Sequence, residues 1–285
     1  MRMNHIVEKE FVLESAGNSA IWGDVRWHDD GRPDSLWPVV IVCHGFKAFK
    51  DWGPFPAIGR RFAELGFVSI VFNFSHNGIS VHSRRFTEPE KFSINTFSLE
   101  LDDVRRIVDA VESGAIVCPA NLDRIGIVGH SRGGGIALIS GREDGRIKAV
   151  ASWASVAKFD RYTEEQKARW KEKGSVQLSS INSRTAFTLG LDLLNDIEQN
   201  RERLNILRAV QALGKPLLIV HGMHDIPVKL KEAQELFDAA EKNLTEFVIL
   251  EGAGHAFGAK HPYRTESPVM THVIDLTASW FEHSL

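Results

Sequence analysis

The chain has 285 residues, of which 43% are hydrophobic and 25% charged, with 23 Gly and 10 Pro. That balance fits a soluble globular protein with a sizeable core and excludes disorder, collagen and coiled coil, while the length alone would accommodate about two domains. The 34 Lys and Arg against 37 Asp and Glu leave a net charge of -3 with no dense basic run, which excludes nucleic acid or an anionic membrane as the main partner.

The first thirty residues scatter their charges and hold no apolar leader, and no uncharged stretch reaches the roughly 18 residues of a membrane span. Cys43 and Cys118 are too few for a disulfide scaffold or a four-Cys zinc site. A cytoplasmic location is the expectation. Glu10 to Glu14 and Ala20 to Trp27 predict an antiparallel entry with a turn at Gly17-Asn18-Ser19. Short apolar runs then recur at Val39 to Cys43, Val68 to Phe74, Ile125 to Val128, Val150 to Ala154, Leu217 to Val220 and Phe247 to Leu250. Runs that are continuous rather than alternating suit strands buried on both faces of a largely parallel sheet. Between them, Phe55 to Leu65, Leu99 to Val111, Gly134 to Ser140, Leu230 to Ala240 and Val269 to Phe281 place apolar residues at helical spacing. The alternation predicts an α/β fold, a mostly parallel sheet of about eight strands flanked by helices. It breaks between 156 and 214, where helical pieces such as Glu164 to Lys173 and Gly190 to Arg203 predict an inserted helical cap within a single domain spanning 1–285.

The sharpest local signal is Gly129-His130-Ser131-Arg132-Gly133, directly after the run Ile125 to Val128 and opening a helical pattern. A nucleophile on so sharp a strand-to-helix turn needs small flanking residues, and its hydroxyl is pushed out at the carboxyl edge of the sheet. A serine hydroxyl needs a base, and the base needs an orienting acid. Asp225 follows the run Leu217 to Val220 and His255 follows Phe247 to Leu250, so parallel strands deliver both to the edge that carries Ser131. For the developing oxyanion, backbone N–H groups are expected from Arg132, next to the nucleophile, and from Phe46, in the His44-Gly45-Phe46-Lys47 loop after the first central strand.

On these segments, together with HGFKAFKDWG at 44–53, GHSRGG at 129–134, HGMHD at 221–225 and GAGH at 252–255, the chain resembles the α/β-hydrolase superfamily over about three quarters of its length. Among its branches it most resembles the dienelactone-hydrolase-like and cinnamoyl or feruloyl esterase-like serine hydrolases. The resemblance implies Ser131 as nucleophile, His255 as base, Asp225 as acid, and Phe46 and Arg132 as oxyanion donors. Dienelactone hydrolases proper carry cysteine at the elbow, so their lactone specificity does not transfer to Ser131. The resulting expectation is a carboxylesterase acting on a small-molecule ester through an acyl-enzyme. The alternatives are a peptidase or amidase of the prolyl-oligopeptidase-like branch, which usually carries a large propeller domain for which 285 residues leave no room, and a non-catalytic hydrolase-like binding protein.

Other residues carry two readings each. His76, at the end of its strand, either touches substrate or orders its loop; Trp153, Phe159, Trp170 and Phe187 either wall a pocket or form the cap's own core. His130 is read as packing, Cys43 as a small buried apolar residue, and His261 and His272 as more distant rivals of His255. His221 and His224 beside Asp225 lack an obvious third ligand, so neither a metal nor a cofactor is expected.

Overall fold

The computed structural model describes residues 5–32, 34–178 and 187–285. In chain order the elements are β1 (His5–Glu14), β2 (Ala20–Asp29), β3 (Trp37–Cys43), α1 (Phe55–Glu64), β4 (Val68–Asn73), α2 (Pro89–Ser93), α3 (Phe97–Glu112), β5 (Ala120–His130) and α4 (Arg132–Glu143). There follow β6 (Ile147–Trp153), α5 (Glu164–Lys173), β7 (Ser175–Leu178), β8 (Phe187–Gly190), α6 (Leu191–Gln199), α7 (Ile206–Gln211), β9 (Leu217–Gly222), α8 (Leu230–Ala239), β10 (Thr245–Leu250) and α9 (Pro268–Ser284). Eight strands form one sheet in the order β1-β2-β4-β3-β5-β6-β9-β10. β2 runs antiparallel to both β1 and β4, and every other neighbouring pair is parallel. This is the mostly parallel sheet that the apolar runs predict.

Both faces of the central strands are dry. In β3, Val39, Ile41 and Cys43 pack into one core layer and Val40 and Val42 into the other, so strand alternation leaves no polar face. The first layer is closed by α3, α4 and α8 through residues such as Val104, Leu138 and Leu236. The second is closed by α1 and α9 through Phe55, Phe62, Ile274 and Phe281. Each such buried side chain contributes about 1.5–3 kcal/mol, so the sheet is held by two layers of packing rather than by any one contact.

The insertion between β6 and β9 differs from the expected all-helical cap. Glu164 to Lys173 is helical, opened by a reciprocal cap between Thr163 and Gln166 and stopped at Gly174, whose φ of 73° suits glycine. After it comes an antiparallel pair, β7 with β8, that the sequence does not announce. Four-residue, half-buried strands are too short to establish a period. Residues 179–186 of the expected cap lie outside the described residues. The insertion's Phe159, Leu193, Ile197 and Ile206 join the same core layer as the sheet. Among the described residues no helix is long and apolar enough to cross a membrane.

Candidate active site

Parallel strands place the loops after β3, β5, β9 and β10 along one sheet edge. At the end of β5 the chain turns so sharply into α4 that Ser131 has φ 58° and ψ -119°, a strained conformation for a residue with a Cβ. The turn admits only glycine two residues before and two residues after it. A Cβ on Gly129 would lie 2.0 Å from the carbonyl oxygen of Gly133, and one on Gly133 would lie 2.4 Å from that of His44. Ser131 is then fixed by its backbone, donating its N–H to Trp153 at 2.8 Å and accepting at its carbonyl from Gly134 and Val156.

His255 lies with Nε2 3.0 Å from Ser131 Oγ and Nδ1 2.8 Å from Asp225 Oδ2. A carboxylate only accepts, so the imidazole proton sits on Nδ1 and Nε2 offers its lone pair to the serine hydroxyl. Asp225 is buried, and its Oδ1 accepts the Val228 N–H at 2.9 Å. His221 braces the same loop, donating from Nε2 to the Val228 carbonyl at 2.9 Å while standing 3.3 Å from Asp225 Oδ2. His130 does more than pack: its Nε2–H donates to the backbone carbonyl of His255 at 2.8 Å. Burial, reinforced by the neighbouring His255 ring, lowers its pKa to about 4 and keeps it an uncharged donor.

The β3 loop is built around another buried histidine. His44 donates from Nδ1 to the Gly45 carbonyl at 2.9 Å, while Nε2 accepts from the Phe74 N–H and from Asn77 Nδ2, both at 3.4 Å. Burial lowers its pKa to about 4. The Gly45 carbonyl also accepts the Ala48 N–H at 3.2 Å. Because a trans peptide points its C=O and the following N–H in opposite directions, these bonds fix the direction of the Phe46 N–H. Arg132 opens α4, so its N–H has no intrahelical acceptor and stands at the helix end that favours negative charge. The two side chains are clamped as well, the Arg132 guanidinium lying 5.3 Å from the Phe46 ring centre and 4.4 Å from that of Phe97.

A cavity of about 210 Å³ opens over Ser131 and Arg132, walled by Phe46, Phe97, Phe159, Tyr162, Leu193 and Val228 among others. Of the four candidate aromatics only Phe159 reaches it, stacked at 3.9 Å on Phe97. Trp153 lies on the opposite face of the sheet, where Nε1 donates to Thr277 Oγ1 at 3.0 Å and the ring packs on Phe62. Trp170 packs against Tyr162, and Phe187 against Phe86 and Phe92, neither lining the cavity. His76 is buried outside it, bonded to Ser19 and Ser75. His261 accepts the Gly53 N–H and stacks on Trp52, and His272 is exposed on α9, so neither competes for Ser131. Phe97 and Tyr162 are absent from the sequence reading; Phe97 follows the capping residue Thr96, a position with no periodic signal of its own.

Comparison with known proteins bears on the fold and the family. The sequence model of the prolyl oligopeptidase family matches residues 60–283. An uncharacterized 31.7 kDa protein of the traX-finO intergenic region in Escherichia coli is 27% identical over 123 residues, 43% of this chain; the match spans 39% of that relative's length. Among solved structures, the α/β hydrolase GrgF from a Penicillium species superimposes with a TM-score of 0.70 at 16% identity, covering 98% of this chain and 99% of that one. The esterase domain of a Rhodothermus marinus protein does so with 0.64 at 19% identity, covering 97% and 98%. At such identities the likeness establishes the α/β-hydrolase fold.

Proposed function

The chain belongs to the prolyl oligopeptidase family of α/β hydrolases, and from the geometry of its site we propose that it is a serine esterase cleaving carboxylic esters of small molecules through an acyl-enzyme. The observation that carries this reading is the hydrogen-bonded chain Ser131 to His255 to Asp225, at 3.0 and 2.8 Å, beneath a cavity. Ser131 Oγ attacks the ester carbonyl carbon as its proton passes to His255 Nε2, and Asp225 stabilises the imidazolium so formed. The oxyanion accepts from the N–H groups of Phe46 and Arg132, an arrangement in which each donor is worth about 10²–10³ in rate. His255 then returns its proton to the departing alkoxide, leaving an acyl group on Ser131. A water molecule deprotonated by His255 attacks that acyl carbon and releases the acid. The insertion at 156–214 acts as the cap that shapes the acyl site.

The likeness to the Rhodothermus esterase domain supports the ester reading, while the family match supports a second one, a peptidase or amidase working by the same steps. A panel of matched aryl esters and anilides, assayed with the wild type and Ser131→Ala, tests both. Ester turnover is expected to dominate and to fall about 10⁴-fold or more in the variant, with its melting temperature kept. Near-native turnover by Ser131→Ala would overturn the mechanism, and anilide rates equal to ester rates would favour the second reading.

A further inference from the structure

The cavity over Ser131 is electrically one-sided. Its lining carries three cations, Arg132, Lys158 and Arg161, and no carboxylate among the described residues. Two of the three are matched from behind. Arg132 is buried and bonds Glu100 through Nε at 3.0 Å, with Nη2 2.8 Å from the other carboxylate oxygen. Arg161 donates from Nη1 to Glu232 at 2.6 Å. Lys158 is different, because among the described residues it has no ion pair and no hydrogen bond. Asp160, the nearest acid along the chain, does not line the cavity and is taken by Lys167. Next to the cavity, Lys47 adds a further positive charge, its Nζ resting over the rings of Phe46 and Phe187 with no carboxylate partner among the described residues.

The remaining walls are largely apolar, Phe97, Phe159, Leu193 and Val228 among them. A negative group brought against such walls loses hydration and needs a partner to replace it. Lys158 can supply that partner without breaking an existing pair, whereas an uncharged chain gains nothing from it. Taking the hydrolase reading above as its basis, we infer that the ester seated in this cavity carries a carboxylate on the part facing Lys158, and that Lys158 sets a preference for anionic over neutral esters.

Two alkyl fluorophosphonates of equal length, one ending in a carboxylate and the other in its methyl ester, test this without relying on turnover. The carboxylate probe is expected to modify Ser131 about two- to fivefold faster, the range of a solvent-accessible ion pair, and the advantage should shrink at high salt. Lys158→Gln should abolish the preference and Lys158→Glu reverse it, read as the ratio of the two probes' rates within each variant. Equal rates in the wild type, or a preference that survives Lys158→Glu, would overturn the inference. If the folded protein is labelled at Ser131 by neither probe, the hydrolase reading fails and this one with it.

Discussion

Around Ser131, histidines are sorted by burial and by what their nitrogens face. His44 is buried and His130 half-buried, and loss of hydration lowers the pKa of each to about 4, so across neutral pH each is a neutral donor to a backbone carbonyl. His255 instead faces a carboxylate and a hydroxyl, the arrangement that makes a base. The His44-Gly45 pair is legible in the sequence as a turn near the oxyanion, but which atom the ring bonds depends on the loop's path, which no local pattern encodes. His44→Ala removes the donor to Gly45 and frees the Phe46 N–H to rotate. Steady-state kinetics should show kcat lowered about 10- to 100-fold with KM changed less than about threefold, as for partial loss of an oxyanion donor. An unchanged kcat would show that this bond does not hold the Phe46 peptide.

Among the elements, α3 ties the site to the rest of the molecule by its polar residues. Glu100 and Asp103 share the inward face with Val104, Ile107 and Val111, Glu100 reaching Arg132 while Asp103 accepts from Ser15 at 2.6 Å and from the Ser75 N–H at 2.8 Å. The amphipathic period of Leu99 to Val111 predicts the helix, but spacing alone does not reveal two buried acids, since charged residues are seldom buried unless paired. Their partners lie in distant loops. Burial raises the pKa of Asp103 from 3.8 to about 6. The folded protein therefore holds this proton more tightly than the unfolded chain, and the stability so gained is complete below about pH 4 and lost as pH rises through 6. Asp103→Asn keeps an acceptor and carries no charge, so it should be more stable than the wild type at pH 8, by at most about 3 kcal/mol, and lose that advantage at pH 4. Thermal melts at the two pH values check this; a difference of the same size at both would contradict it.

For the whole molecule, the legible part is what the parallel sheet enforces. Runs of Val, Ile and Phe mark β3 to β6, β9 and β10, and the order Ser131, Asp225, His255 lands on one edge because parallel strands share a direction. The same dryness that reveals the strands hides which face each side chain takes. Trp153 therefore reads equally well as pocket or core, and only the packing of α9 against β6 settles it in the core with Thr277. The short pair β7 and β8 is too brief to register as strands, and the partners that brace the site come from segments far apart in sequence.

The claim that one hydroxyl carries the acyl group is tested most directly by acid-quenching the protein during turnover of an aryl acetate and locating the adduct by peptide mass spectrometry. A single acetyl group on Ser131, formed at least as fast as turnover and absent from Ser131→Ala, is the predicted result. Undiminished turnover with the acetyl group on another residue, or with no dependence on Ser131, would contradict it.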